Sequence, residues 1–64
     1  MIMNEEFWVA RDKNGWLALY VNKPYKHSDL WVAPFGDWFS LDGDLFPSVK
    51  WEDEEPKRVK INLI

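Results

Sequence analysis

Turn-forming residues interrupt this chain at Asn14-Gly15, Pro24, Pro34 with Gly36, Gly43, Pro47 and Pro56, roughly every 8 to 12 residues. This spacing limits the chain to short elements. A proline inside a helix removes a hydrogen bond and clashes with the preceding turn. No stretch free of glycine and proline carries apolar residues at i, i+3, i+4 and i+7 through three turns. Short antiparallel strands joined by turns are what remain, and 64 residues hold one small β domain, 1–64, with no room for a second core.

The strands follow from composition and alternation. Phe7-Trp8-Val9-Ala10-Arg11 and the run from Trp16 to Val21 are aromatic and β-branched, and Asp12-Lys13-Asn14-Gly15 lies between them. Asp at the first position of a type I turn and Gly at the last is the composition of a hairpin with a G1 bulge, while a two-residue Asn14-Gly15 type I′ turn is the alternative, one residue out of register. In the second strand Trp16, Ala18 and Tyr20 point one way and Leu17, Leu19 and Val21 the other, so the strand is expected to be central. Leu30 to Ala33 and Trp38 to Leu41 supply two more strands around a Pro34-Phe35-Gly36-Asp37 turn. A loop follows with one short 3₁₀ turn around Asp44 to Phe46, and Val49-Lys50-Trp51 is expected to add a short pairing. From Arg58 to Leu63, Val59, Ile61 and Leu63 alternate with polar residues, the cleanest half-buried strand in the chain. The expected fold class is all-β: a small curled antiparallel sheet of about five strands, loosely SH3-like or an open barrel.

A domain this short is marginal unless something staples it. There is no cysteine, so disulfides, thiolate metal sites and a cysteine nucleophile are excluded. The staples have to be the aromatic rings, with most of the 5 Trp expected to be buried in the monomer or in an oligomer interface, and Trp51 is expected to anchor the C-terminal strand.

The segment Ala10-Arg11-Asp12-Lys13-Asn14-Gly15, followed by Leu17, Leu19, Tyr20 and Lys23-Pro24, resembles a family of short, uncharacterised bacterial and phage-borne proteins. The later stretch carries the same likeness: Asp42, then Leu45-Phe46-Pro47-Ser48-Val49-Lys50-Trp51-Glu52-Asp53-Glu54-Glu55-Pro56. The resemblance covers most of residues 7 to 61. It implies a bacterial, phage or prophage setting, and it brings no functional residues with it.

Site chemistry is sparse. His27 lies beside Ser28 and Asp29, but adjacent side chains cannot line up hydroxyl, imidazole and carboxylate as a catalytic triad does, and His27 is expected in a solvated loop. Asp42-Gly43-Asp44 begins like a calcium loop, yet Leu45 and Phe46 break the ligand pattern at once. The glycines are scattered, so no phosphate cradle forms, and neither cofactor nor metal is expected. No apolar run reaches the ~20 residues a membrane helix needs. Met1-Ile2-Met3 leads directly into Glu5-Glu6, unlike a secretion signal, so a cytoplasmic protein with no membrane association is expected.

Charge is segregated. Residues 29–55 hold eight acids against Lys50, a net −7, while 11–27 and 57–60 each carry +3 and the whole chain −3. Only a modest basic face, from Lys23, Lys26, Arg58 and Lys60, could meet a phosphate backbone, so nucleic acid is the lesser alternative. Another is a DNA-mimicking acidic surface that inhibits a host or defence protein. Eleven aromatics exceed what one face of a small sheet can shelter. The expectation is therefore a non-catalytic interaction module with an aromatic and acidic surface: Tyr25, Phe35, Trp38 and Phe46 with Glu52, Asp53, Glu54 and Glu55. Its partner is another protein or, as a weak homodimer, itself.

Overall fold

A computed structural model describes residues 3–63, and the side chains of residues 6–60. Every regular element among them is a strand: β1 (Met3–Arg11), β2 (Leu17–Tyr20), β3 (Tyr25–His27), β4 (Leu30–Val32), β5 (Trp38–Leu41) and β6 (Lys57–Leu63). They form a four-stranded antiparallel sheet in the order β5-β2-β1-β6, and a two-stranded one, β3-β4.

The all-β class and the central position of β2 match the sequence, but the strand count differs. Two sheets stand in place of one curled sheet of about five strands, and the larger is open, with β5 and β6 as its edges. The additional strand, Tyr25-Lys26-His27, is exposed at all three residues, so no apolar alternation marks it. Val49-Lys50-Trp51 joins no ladder. Its backbone is spent on two turns, closed by Val49 N–H to the Phe46 carbonyl at 2.9 Å and Asp53 N–H to the Lys50 carbonyl at 3.1 Å. In place of the expected 3₁₀ segment there is a single turn, Leu45 N–H to the Asp42 carbonyl at 3.0 Å, and Phe46 at φ 48 takes the left-handed conformation that prevents a helical turn from continuing.

The first hairpin settles the choice of turn. Gly15 N–H donates to the Asp12 carbonyl at 2.9 Å, Asp12 N–H donates to the Trp16 carbonyl at 2.8 Å, and Gly15 alone in the turn has a positive φ, of 96. A type I′ turn needs Asn14 in the left-handed region as well, so this is the G1-bulge form. The register that follows pairs Val9 with Leu19, Ala10 with Ala18 and Arg11 with Leu17.

Alternation then sorts the side chains onto two faces. Val9 and Leu17, with Leu19, Leu41 and Val59 around them, are covered by Val49 and Phe46 from the loop after β5. On the other face Ala10, Ala18 and Tyr20 are covered by Trp31 of the β3-β4 hairpin, with Trp8, Ala33 and Trp51 packed around. Ala10 and Ala18 stand opposite one another, and their small side chains leave the depth that the Trp31 indole fills. The loop therefore contributes to both faces, Val49 to one and Trp51 to the other. It can cross because β6 pairs with β1 only as far as Val9, leaving the β1 edge at Ala10 and Arg11 without a neighbour on that side. Trp51 thus anchors the hairpin layer, edge-on to Trp31 at 6.5 Å.

Arg11 fixes this loop. Nε donates to the Val49 carbonyl at 2.7 Å, Nη1 to Gly15 and Gly43 at 3.0 and 3.1 Å, and Nη2 to Leu45 and Phe46 at 3.1 and 3.4 Å. A guanidinium has five N–H donors, and here each meets a carbonyl oxygen. At the far turn Gly36 has φ 85, and a Cβ there would collide with the Asn22 amide, which donates to the Phe35 carbonyl at 3.0 Å.

Candidate functional site

The β3-β4 hairpin covers only part of the Ala10/Ala18 face, and beside it lies a cleft of about 310 Å³. Its floor is built from buried Asp12, Tyr20 and Trp31; Trp16, Trp38 and Leu30 form the rim, each about half exposed. Strand geometry accounts for the shape. Trp38 stands opposite Tyr20, Ser40 opposite Ala18, and Trp16 precedes β2 on the same face as Ala18. The two indoles therefore flank the stretch of the face held by Ala18 and Ser40, with the Trp31 indole seated over Ala18 as the floor between them.

Asp12 is the one buried charged side chain among the described residues, at 8% exposure. Its Oδ1 accepts from Trp31 N–H at 2.8 Å, and Trp31 Nε1 donates to the Arg11 carbonyl at 3.1 Å. The G1 bulge thus joins the β3-β4 hairpin to the large sheet, helped by Lys13 N–H to the Asp29 carbonyl at 3.2 Å. Next to the carboxylate the Tyr20 hydroxyl donates to the Trp31 carbonyl at 3.4 Å. Burial, and secondly the Asp12 charge, push the Tyr20 hydroxyl from 10.0 up to about 12.

That shift fixes a pH dependence. A group whose folded-state pKa is raised contributes stability that is fully present below its unfolded value and is lost as pH rises through the folded one. Tyr20 is expected to stabilise the fold fully below pH 10 and to lose that contribution between pH 10 and about 12, roughly 2–3 kcal/mol in all. Urea midpoints measured across that range should fall for the wild type and fall less for Tyr20→Phe. Parallel slopes would mean that another group carries the alkaline loss.

The residues expected to share one aromatic and acidic surface are dispersed. Trp38 is on the cleft rim. Tyr25 is exposed on β3, and Phe35, at 77% exposure, stands at the tip of the turn before β5. Phe46 is not a surface ring. It is half-buried beneath the opposite face, because its left-handed backbone turns it in against the Val9-Leu17-Val49 cluster. Asp53 is half-buried too, its Oδ2 accepting from Lys50 N–H at 3.0 Å to close its own turn. Glu55 pairs with Lys23 at 3.2 Å, while Glu52 and Glu54 are exposed.

Asp12, Trp16 and Leu30 carry no sequence signal that marks them as site residues. The alternation puts Trp16 on the Ala18/Tyr20 face, but nothing in the sequence distinguishes a rim indole from a core one. Of the basic side, Lys23 is paired with Glu55 and Arg58 with Glu6 at 3.2 Å, and Lys26 donates to the Trp51 carbonyl at 2.6 Å with its ammonium 4.3 Å from the Trp51 ring centre.

Among the described residues no group of three or more His, Asp or Glu side chains is placed to hold a metal ion, and no helix is long and apolar enough to cross a membrane. Compared with protein-family models, with curated proteins and with solved structures, the chain matches none.

Proposed function

We propose that this protein is a non-catalytic docking module, which binds a protein partner by admitting one of its segments to the cleft between Trp16, Trp38 and Leu30. One observation carries the reading. Both core clusters are complete without these three side chains, yet all three line the same cleft at about half exposure. Tryptophan at the centre of a contact is the residue type most enriched among those that dominate binding energy, and a preformed cleft spares the partner an ordering cost. Nucleic acid is the weaker alternative, since three of the four cations of the basic side are already engaged within the protein. The acidic turn is likewise a weaker candidate for DNA mimicry, with Asp53 and Glu55 used internally. In the phage or prophage setting that the family resemblance implies, the partner would be a cytoplasmic protein.

Capture from a host lysate, with and without nuclease, tests this against a Trp16→Ala/Trp38→Ala double variant. Both indoles are half exposed, so the variant should melt within a few degrees of the wild type and lose the captured protein. Capture that survives in the double variant would refute docking at the cleft. Capture abolished by nuclease would transfer the function to the basic side. Sedimentation of the wild type should show a monomer or a weak dimer, and a stable large oligomer would count against an open cleft.

A further inference from the structure

The occupant of the cleft can be specified further, on the footing that the cleft is the docking site. We propose that it takes an organic cation, the guanidinium of an arginine side chain on the partner, with Asp12 as counter-charge and the indoles of Trp16 and Trp38 as the surfaces it stacks on.

Asp12 has no cationic partner among the described residues. Asp12 is more than nine-tenths buried, lines the cleft, and uses only Oδ1, on Trp31 N–H. No donor among the described residues meets Oδ2, and no fully enclosed side-chain oxygen lacks a partner, so Oδ2 keeps some contact with solvent. Burying a carboxylate is costly unless a cation or several donors answer it. The neighbouring cations do not. Arg11 projects to the opposite face, where its five N–H groups are taken by the carbonyls of residues 15, 43, 45, 46 and 49. Lys13 pairs with Asp29 at 3.8 Å, and Lys26 is held against Trp51.

The walls favour the same ligand. An indole face attracts a cation within about 6 Å of its centre, and this protein already makes such contacts, from the Lys26 ammonium to Trp51 at 4.3 Å and to Trp31 at 5.4 Å. A guanidinium suits the cleft better than an ammonium. It is more weakly hydrated, hence cheaper to bring against apolar walls; it is flat, so it stacks on indole; and its N–H groups can reach for Oδ2 while its plane lies against an indole face. The net −7 over residues 29–55, which include Leu30, Trp31 and Trp38 of the cleft, would draw a basic segment towards it.

The test is a titration of the whole protein followed by the indole N–H signals of its tryptophans. The probes are two Gly-Ser peptides alike except for one central arginine or citrulline, the latter an uncharged near-isostere. The arginine peptide should shift the Trp16 and Trp38 signals and bind about tenfold more tightly than the citrulline one. In Asp12→Asn the Trp31 N–H keeps an acceptor, so the fold persists, and the preference for arginine should collapse to near unity. Equal binding of both peptides to the wild type would overturn the cation while leaving an aromatic docking cleft. Retention of the preference in Asp12→Asn would overturn the role of Asp12. If neither peptide moves the indoles, the arginine is refuted, and docking itself is decided by the capture experiment.

Discussion

Trp31→Ala is expected to abolish the cooperative thermal transition. Truncating a buried tryptophan costs about 3–5 kcal/mol, and a core of this size, with no cysteine to staple it, rarely supplies more than ~3–5 kcal/mol in total. Trp31 also carries more than its own contacts. It is 5% exposed, its Nε1 donates to the Arg11 carbonyl and its ring packs edge-to-face with Trp51, while the backbone bonds of residue 31 to Asp12 and Tyr20 persist in the alanine variant without the packing that seats them. Without the indole the β3-β4 hairpin keeps its backbone hydrogen bonds to the large sheet but loses the one buried side chain of its two strands, and a lone two-stranded hairpin is at best marginal in water. Trp16→Ala is the matched control: the same truncation at a half-exposed indole should cost under about 1 kcal/mol. Circular dichroism melts of the two variants against wild type decide it. A Trp31→Ala protein that melts within a few degrees of wild type would show that the hairpin layer is not what holds the domain together.

That asymmetry between two tryptophans marks where the sequence stops being informative. Strands whose residues alternate, or lie in aromatic and β-branched runs, were legible within one or two residues at most ends: β2, β4, β5 and β6 all fall where periodicity and turn residues place them. β1 starts earlier than its apolar run, because Met3 to Glu6 is held by pairing with β6 and not by its own pattern. β3 was invisible since all of it is exposed. The cleft was illegible for a different reason. Trp16, Trp31 and Trp38 all sit in strand-like contexts, and only the placement of the β3-β4 hairpin over Ala10 and Ala18 decides that Trp31 is covered while the other two form a rim. A sequence gives the period of a face without giving what lies over it. Asp12 shows the same limit. Its type suits the first position of a turn, and the turn forms; that its carboxylate also accepts from the backbone of a strand 19 residues away is a tertiary fact.

Arg11 is the second residue on which the domain should depend, and through hydrogen bonds where Trp31 acts through burial. Arg11→Met is expected to lower stability by about 2–4 kcal/mol, because the loop from Gly43 to Val49 has no strand pairing and is held to the sheet by guanidinium bonds and by Val49 and Phe46 packing. Charge-assisted bonds to carbonyl oxygens are among the stronger kind, and the partly buried one to Val49 should weigh most. Arg11→Lys should recover little, since one ammonium with three donors cannot span carbonyls on residues 15, 43, 45, 46 and 49. The loss should be local before it is global. Hydrogen exchange at the Leu45 and Val49 amides, which close the two turns of this loop, should accelerate well beyond that of Leu19 in the central strand. If Arg11→Lys keeps the wild-type denaturation midpoint, or if exchange at Val49 and Leu19 rises in step, the five-carbonyl grip is not what closes the loop, and packing of Val49 beneath Val9 and Leu17 would have to suffice.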